Sequence, residues 1–265
     1  MGLEESGDGR YAPHLSSLWS RPLYTLCGGS SRVDHRTRDL ERCAQTGDLS
    51  AEVILLRRRV RAGDLSPEGL SLAAFLGHPA SRELLGHEAP DVPAGYQEWL
   101  EPLRARGPEV VMRASVAAAG RVVPLLGSLL LTSDVEHPQP VLDAAEEALV
   151  CPCLPHVREV LHAARGCEDA RRGPDAVQLD RQREAAVSAC TSLALLFSDP
   201  DSAWEVMHHA RLSAFAAAQS DPSTDHDTLP GEAGRLIKDA VRAEVVPWAL
   251  GYSDPVRERV EARQQ

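Results

Sequence analysis

Asparagine is absent from this chain, lysine occurs once, and aromatic side chains make up only 4% of the 265 residues. The missing Asn excludes every N-glycosylation acceptor. Isoleucine occurs only at Ile54 and Ile237, so the 43% hydrophobic content is mainly Ala, Leu and Val. Lys238 is the single lysine, and Arg supplies the rest of the positive charge. This preference is typical of a GC-rich genome and does not by itself indicate a function.

The hydrophobic residues that remain favour helices. Ala and Leu are the strongest helix formers, and Ala-rich faces let helices approach closely. No stretch alternates between apolar and polar residues with the period of two that strands require. We therefore predict an all-α fold, a helical array or orthogonal bundle of about ten helices with no sheet.

Charge and cysteine usage limit the partners and the compartment. The net charge of -11 argues against nucleic acid and against an anionic membrane surface, because phosphate binding depends on an excess of Lys and Arg. An acidic surface suits a basic protein partner. The six cysteines are irregularly spaced, and the first ten residues are acidic without an apolar region. We expect a reducing, cytoplasmic environment.

Start and stop signals divide the chain into three parts. Residues 1–33 carry Gly, Ser and Pro without periodicity and predict a partly ordered arm. Residues 34–90 predict a helical hairpin module, in which Ser66 caps a helix and Pro67 takes its first position. Residues 91–265 predict a helical bundle that continues this module. The string Gly-Asp-Leu-Ser at 47–50 and 63–66 is a hint of repeated helical units.

Several elements of the bundle have definite expected bounds. Glu109–Leu131 is the most apolar segment and predicts a central buried helix, kinked near Pro124. A helix is expected from Pro155 to Arg165, followed by a charged loop from Gly166 to Pro174. One long helix is expected over Val177–Phe197. We expect the neighbouring carboxylates Glu146 and Glu147 to belong to a solvent-facing helix surface.

The best metal candidate is Cys151-Pro152-Cys153 with His156. Two thiolates and an imidazole suit zinc, but the motif is half a site, and a fourth ligand such as Cys167 or His162 would have to come from elsewhere. We interpret the two cysteines as thiols packed at a helix corner.

Two other clusters are weaker candidates for metal binding. His208 and His209 are adjacent on a predicted helix and face directions about 100° apart, so we interpret them as surface or groove histidines. The acidic loop that contains Asp221, Asp225, His226 and Asp227 lacks the ordered spacing of a calcium loop, and we interpret it as a solvated linker.

No nucleophile elbow, phosphate-binding loop, dinucleotide fingerprint or zinc-protease motif occurs in the chain. We therefore predict no catalytic residues, no cofactor and no bound metal, with Cys151, Cys153 and His156 as the residues nearest to a metal site.

Two segments resemble known protein families. Arg59–Gly86 resembles a motif of uncharacterised helical bacterial proteins. The run from Val111 to about Gly251 resembles the all-helical immunity proteins of polymorphic toxin systems. It shares an Ala/Val-rich helix ending Val122-Val123-Pro124-Leu125, a helix over Pro140–Leu149, long Ala-rich helices and a closing helix over Ile237–Leu250. The resemblance implies a non-enzymatic helical protein that neutralises a toxin by binding it.

Two alternatives to protein binding stay open at this point. One is a small metal-dependent helical enzyme that uses Cys151, Cys153 and His156. The other is a scaffold that associates with its own copies.

Overall fold

Helices and short corners make up the described parts of the chain, which in this computed structural model are residues 35–124, 138–172, 181–197, 199, 202–219 and 229–265. Every regular element in these ranges is helical and none is a strand, which confirms the all-α prediction. The predicted arm over residues 1–33 and the acidic loop around Asp221 lie outside them.

The α-helices are numbered in chain order, and a 3₁₀ turn over Gly86–Glu88 follows the fourth. They are α1 (His35–Gln45), α2 (Leu49–Ala62), α3 (Pro67–Phe75), α4 (Pro79–Leu85), α5 (Tyr96–Arg104), α6 (Pro108–Val122), α7 (Gln139–Val150), α8 (Leu154–Arg172), α9 (Arg181–Thr191), α10 (Leu193–Leu196), α11 (Ala203–Gln219), α12 (Leu229–Ala249) and α13 (Pro255–Arg263). None of these helices is both long and apolar enough to cross a bilayer.

The two copies of Gly-Asp-Leu-Ser form helix boundaries in different ways. In both copies the glycine has a positive φ, 89° at Gly47 and 79° at Gly63. In the first copy Asp48 is the N-cap of α2 and accepts a hydrogen bond from the Ala51 amide at 3.1 Å. In the second, Ser66 is the N-cap of α3 and accepts from the Gly69 amide at 3.0 Å. Pro67 after the second copy moves the cap by two positions, because proline favours the first helical position.

Helix α6 is the centre of the fold. Eleven of its 15 residues are buried, and it contacts α5, α7, α9, α10, α11 and α12. The prediction of a central buried helix is confirmed, but its bounds were wrong. The α-helix ends at Val122, and Pro124 lies in a turn of 3₁₀ geometry after it. Residues 125–131 of the predicted helix lie outside the described ranges.

The expected loop from Gly166 to Pro174 is wrong over most of its length, since α8 continues through Gly166 to Arg172. A buried stripe explains the continuation: Val157, Val160, Ala164 and Cys167 follow one another at helical spacing and are all buried. Burial of Cys167 on this stripe outweighs the weak helix propensity of the single glycine before it.

The single long helix expected over Val177–Phe197 is also wrong. The described part of this segment forms two helices, α9 and the four-residue α10, with Ser192 between them. Ser192 has φ -65° and ψ -17°, so the interruption is one residue long and lies just before Leu193 and Leu196. Both side chains are buried, at 0% and 1% exposed, so tertiary packing sets the break where the sequence pattern showed a continuous apolar face.

The N-terminal helices pack directly on the C-terminal part of the chain, and residues 33–265 form one compact unit. A Cβ atom at Gly69 of α3 would clash with the carbonyl oxygen of Ala249, so only glycine permits this approach of α3 to the end of α12. Beside it, the Arg242 side chain donates to the Leu76 carbonyl oxygen at 2.6 Å.

A buried arginine joins α6 to the C-terminal helices. Arg113 is 4% exposed and donates two hydrogen bonds, of 2.8 and 2.9 Å, to the carboxylate of Asp254. Its guanidinium carbon also lies 4.4 Å from the ring centroid of Trp248. Asp254 is the N-cap of α13 and accepts from the Arg257 amide. One carboxylate therefore caps α13 and neutralises the charge in the middle of α6.

A second ionic group holds α13 against α7 and α12, and it corrects the expectation for Glu146. That side chain is 4% exposed and accepts from Arg259 at 2.7 Å and from Arg263 at 2.6 Å. Arg259 also donates twice to Glu244 of α12, at 3.0 and 2.8 Å. Glu146 is therefore a buried ion-pair partner, and its burial depends on arginines more than a hundred residues away in the chain.

The Arg113–Asp254 pair can be tested without losing the helix cap, because Asn and Asp are equally good N-caps. The substitution Asp254→Asn removes the carboxylate that accepts both hydrogen bonds from Arg113 and leaves Glu109, 3.6 Å from the arginine Nε, as the remaining counter-charge. We expect it to lower the free energy of unfolding by about 3 kcal/mol. The matched control is Asp48→Asn, which changes an N-cap on α2 and should cost under about 0.5 kcal/mol. Chemical denaturation measures both variants, and equal losses would contradict the role of the buried pair.

The pH dependence of the same variant gives a second readout. Burial alone would raise the pKa of Asp254, but the hydrogen bonds and charge of Arg113 leave that pKa below its ordinary value. A lowered carboxyl pKa stabilises the folded state above about pH 4, and the stabilisation is lost as the pH falls through the folded-state pKa. The difference between wild type and Asp254→Asn should therefore shrink below about pH 4. A difference independent of pH would argue against the ion pair.

Candidate functional site

The structure brings the three predicted metal-ligand candidates together where α7 turns into α8. The ligand atoms of Cys151, Cys153 and His156 all lie within 4.8 Å of one another. The Cys153 sulfur is 3.3 Å from Nδ1 of His156, and the same nitrogen lies 2.9 Å from the carbonyl oxygen of Cys151. Cys151 and Cys153 belong to the three-residue link before α8, and His156 belongs to the first turn of that helix.

The two thiols lie at a helix corner as expected, but they are accessible where we expected them to be packed. Cys151 is exposed and Cys153 is partly exposed. A hydrogen bond to Cys153 raises the pKa of Cys151. The hydrogen bond between Cys153 and the His156 backbone, helped by the Cys151 thiol, lowers the pKa of Cys153. The arrangement favours one thiolate in the pair, and a thiolate is the form of cysteine that reacts with electrophiles and binds metals.

The two residues considered as a fourth ligand do not join this cluster. Cys167 is buried on α8 about three helical turns beyond His156, and His162 is an exposed residue of the same helix. Cys190 of α9 is fully buried, and its burial and the nearby Cys167 raise its pKa. Apart from the exposed Cys43 of α1, the described cysteines therefore fall into an accessible pair at one end of α8 and a buried pair in the core.

A second candidate site is an exposed ridge on α11 that consists of Trp204, His208 and Leu212, hereafter the Trp204 ridge. These residues follow one another at intervals of four, so they lie on one face of the helix. Trp204 is 38% exposed and Leu212 is 42% exposed. The His208 ring stacks on Trp204, with 5.4 Å between ring centroids. Nδ1 of His208 is buried and has no hydrogen-bond partner within the described part of the chain.

An open groove of about 520 Å³ lies beside the Trp204 ridge. Arg211, which is on the same helix as the ridge, lines this groove. Its guanidinium carbon lies 5.3 Å from the ring centroid of Tyr96 on α5, and both residues line the groove. The Tyr96 hydroxyl donates to the Met207 carbonyl oxygen at 2.9 Å, which fixes α5 against α11. Burial raises the pKa of Tyr96, so the hydroxyl remains the donor of this bond.

The basic residues of the groove serve the fold. The Lys238 ammonium donates to three backbone carbonyl oxygens, at 3.0, 2.9 and 3.3 Å. Arg242 donates to the Leu76 carbonyl, and Arg235 lies 3.8 Å from the carboxylate of Asp239. These contacts already engage Lys238, Arg242 and Arg235, which makes these three residues poor ligands for a phosphate or another small anion.

The sequence indicated Cys151, Cys153 and His156 as the residues nearest to a metal site, but it did not predict the Trp204 ridge. We interpret His208 from the sequence as a surface or groove histidine, and the structure places it half-buried on the ridge with one ring nitrogen buried. The signal for the ridge was present in the spacing of Trp204, His208 and Leu212. The pattern was not decisive because the same spacing is typical of a helix face that packs into a core.

No protein-family model, curated protein or solved structure matches this chain. The assignment of a function therefore depends on the geometry of these surfaces.

Thiol alkylation can test the contrast between the two cysteine pairs. In the folded, reduced protein we expect Cys151 and Cys153 to react with iodoacetamide, while Cys167 and Cys190 react only after unfolding. Because its pKa is lowered, Cys153 should reach half of its maximal rate at a lower pH in the folded chain than in the same chain unfolded in urea. Peptide mass spectrometry follows each cysteine. An unchanged midpoint, or fast reaction of Cys190, would contradict this description.

Proposed function

We propose that this protein is a non-catalytic helical binding protein whose ligand is another protein. The observation that carries the proposal is the Trp204 ridge. The chain has only four Trp residues, and large aromatic side chains contribute most when they are buried. Trp99 is 1% exposed, whereas Trp204 leaves 38% of its surface accessible on a regular helix. A partner that covers the ridge would remove this apolar surface from water.

The residue types around the ridge support a protein as the ligand. Trp, Tyr and Arg are the side chains most enriched at the energetic centres of protein interfaces. Here Arg211 lies over the ring of the buried Tyr96, and Trp204 precedes Arg211 by seven residues on α11, which places the two on the same face of that helix. The groove beside them, of about 520 Å³, is large enough to admit a side chain or a loop of a partner, and its cations Lys238 and Arg242 are bound by the protein's own carbonyls.

The buried charges support a role without catalysis. Arg113 is bound to Asp254, and Glu146 and Glu244 are bound to Arg259. Each pair joins helices and lies away from the groove. Burial raises the pKa of Tyr96 and lowers the pKa of Lys238 in the groove, but both groups are engaged in hydrogen bonds to backbone carbonyl oxygens that hold the fold.

The proposed class of partner is a toxin. The resemblance of the segment from Val111 to about Gly251 to immunity proteins supports this class, and the net charge of -11 suits a toxin with a basic active site. Neutralisation would then consist of covering that site.

Substitutions on the ridge test the proposal. Wild type, Leu212→Asp and Ile54→Asp serve as baits in the source cells, and Ile54 on α2 is the matched control because it is also apolar and 43% exposed. We expect a partner that is captured by wild type and Ile54→Asp and lost with Leu212→Asp. With the purified partner, Trp204→Ala should cost about 2 kcal/mol, or roughly thirtyfold in Kd.

Circular dichroism and thermal unfolding first show that each variant is folded. Equal capture by all three baits would contradict the ridge as the binding surface. A wild-type chain that sediments as a dimer, and becomes monomeric with Leu212→Asp, would replace the proposal with a self-associating scaffold.

The charge on the protein predicts how association responds to salt. Attraction between a chain of net charge -11 and a basic partner speeds the encounter at low ionic strength. We expect the association rate constant to fall roughly tenfold between about 0.05 M and about 0.5 M NaCl, with a smaller change in the dissociation rate constant. Stopped-flow fluorescence measures both. An association rate indifferent to salt would exclude a basic toxin as the partner.

A further inference from the structure

The corner between α7 and α8 places three metal-ligand side chains on six consecutive residues. In a tetrahedral zinc site a sulfur and a nitrogen ligand are about 3.5 Å apart, and two sulfur ligands are about 3.8 Å apart. The Cys153 sulfur and Nδ1 of His156 are 3.3 Å apart, and all three ligand atoms lie within 4.8 Å of one another. Rotating the Cys151 and Cys153 side chains so that their sulfur atoms move by about 1 Å would therefore give the three ligand atoms the spacing of one face of a tetrahedron.

The backbone already holds this corner in shape. The amide of Cys151 donates to the Glu147 carbonyl at 2.8 Å, and the amide of Cys153 donates to the Cys151 carbonyl at 2.7 Å. Pro152 restricts the backbone between the two thiols. The fold thus supplies the ordering that a metal site would otherwise have to impose on a flexible chain, and preorganisation of this kind favours affinity.

We propose that Cys151, Cys153 and His156 form a Zn²⁺ site with a fourth coordination position open to solvent. Two thiolates and an imidazole match the ligand preference of zinc and do not suit Mg²⁺ or Ca²⁺, which take oxygen ligands. The exposure of Cys151 leaves room for the fourth ligand, a water molecule or a donor atom of another molecule. This inference is independent of the Trp204 ridge.

The proton balance of binding follows from the hydrogen bonds of His156. Nδ1 now donates its proton to the Cys151 carbonyl oxygen at 2.9 Å, and the Cys153 sulfur lies beside the same nitrogen. Zinc replaces this proton at Nδ1, and the neutral imidazole then carries its proton on Nε2. Each thiol that binds as a thiolate releases its proton to water. Zinc affinity therefore falls as the pH is lowered.

The site is suited to an exchangeable ion rather than to hydrolysis. A catalytic zinc needs a shaped, water-excluding cavity beside its open position. Neither the groove nor the small apolar cavity next to Trp204 is lined by Cys151, Cys153 or His156. The corner is exposed, so the ion can enter and leave without any helix moving.

The experiment titrates Zn²⁺ into the full-length, reduced, metal-free protein in competition with a chromophoric chelator. We expect one equivalent to bind, with a Kd below about 1 µM. Cys151→Ser and Cys153→Ser should each weaken binding at least roughly a hundredfold, and His156→Ala at least roughly tenfold. The matched control is Cys43→Ser, which removes an exposed cysteine of α1 and should leave the affinity unchanged.

Cobalt provides a second readout that does not depend on affinity. Co²⁺ in the proposed site should give the intense visible absorption of four-coordinate cobalt together with a thiolate charge-transfer band, and Cys153→Ser should remove most of that band. Circular dichroism confirms that the variants are folded. Zinc binding by the Cys151→Ser/Cys153→Ser double variant equal to that of wild type would overturn the proposal, and so would loss of binding with Cys43→Ser or a cobalt spectrum of six-coordinate oxygen ligation.

Discussion

The buried contact between Arg113 and Asp254 is the interaction on which the arrangement of the helices depends. Arg113 places a permanent charge on the most buried helix of the fold, with 4% of its surface exposed. A charge in that position is tolerated only if a counter-charge and hydrogen bonds come with it. Asp254 supplies both, and it can do so only when α13 begins beside the middle of α6.

This constraint extends to the surfaces proposed for function. With the start of α13 fixed, Arg259 and Arg263 reach Glu146 and Glu244, and these bonds hold α7 and α12 in place. Helix α11 packs against α6, α9 and α12, so its buried face is held by helices that the ionic contacts position. The Trp204 ridge is therefore presented by a helix with fixed neighbours, which keeps the entropic cost of binding low.

The sequence predicted the features that depend on local chemistry. The Ser66 cap of α3 and Pro67 at its first helical position follow from the preferences of a few adjacent residues. The all-α class followed from an Ala, Leu and Val composition without alternation. The close approach of Cys151, Cys153 and His156 belongs to the same class, because all three lie within one corner of the chain.

The features that the sequence could not predict depend on residues far apart in the chain. Glu146 looked like a solvent-facing carboxylate because its partners, Arg259 and Arg263, are more than a hundred residues away. The continuation of α8 through Gly166 depends on where Cys167 meets the core. The exposure of Trp204 depends on which face of α11 the neighbouring helices leave uncovered, and periodicity alone does not distinguish that face from a buried one.

Hydrogen–deuterium exchange with and without the purified partner tests the central claim, that the ridge on α11 is a protein-binding surface. The account predicts slower exchange on binding in peptides covering residues 203–215 and the start of α5 at Tyr96, with little change in α2. Slower exchange confined to the N-terminal helices, or no change in α11 at saturating partner, would contradict it.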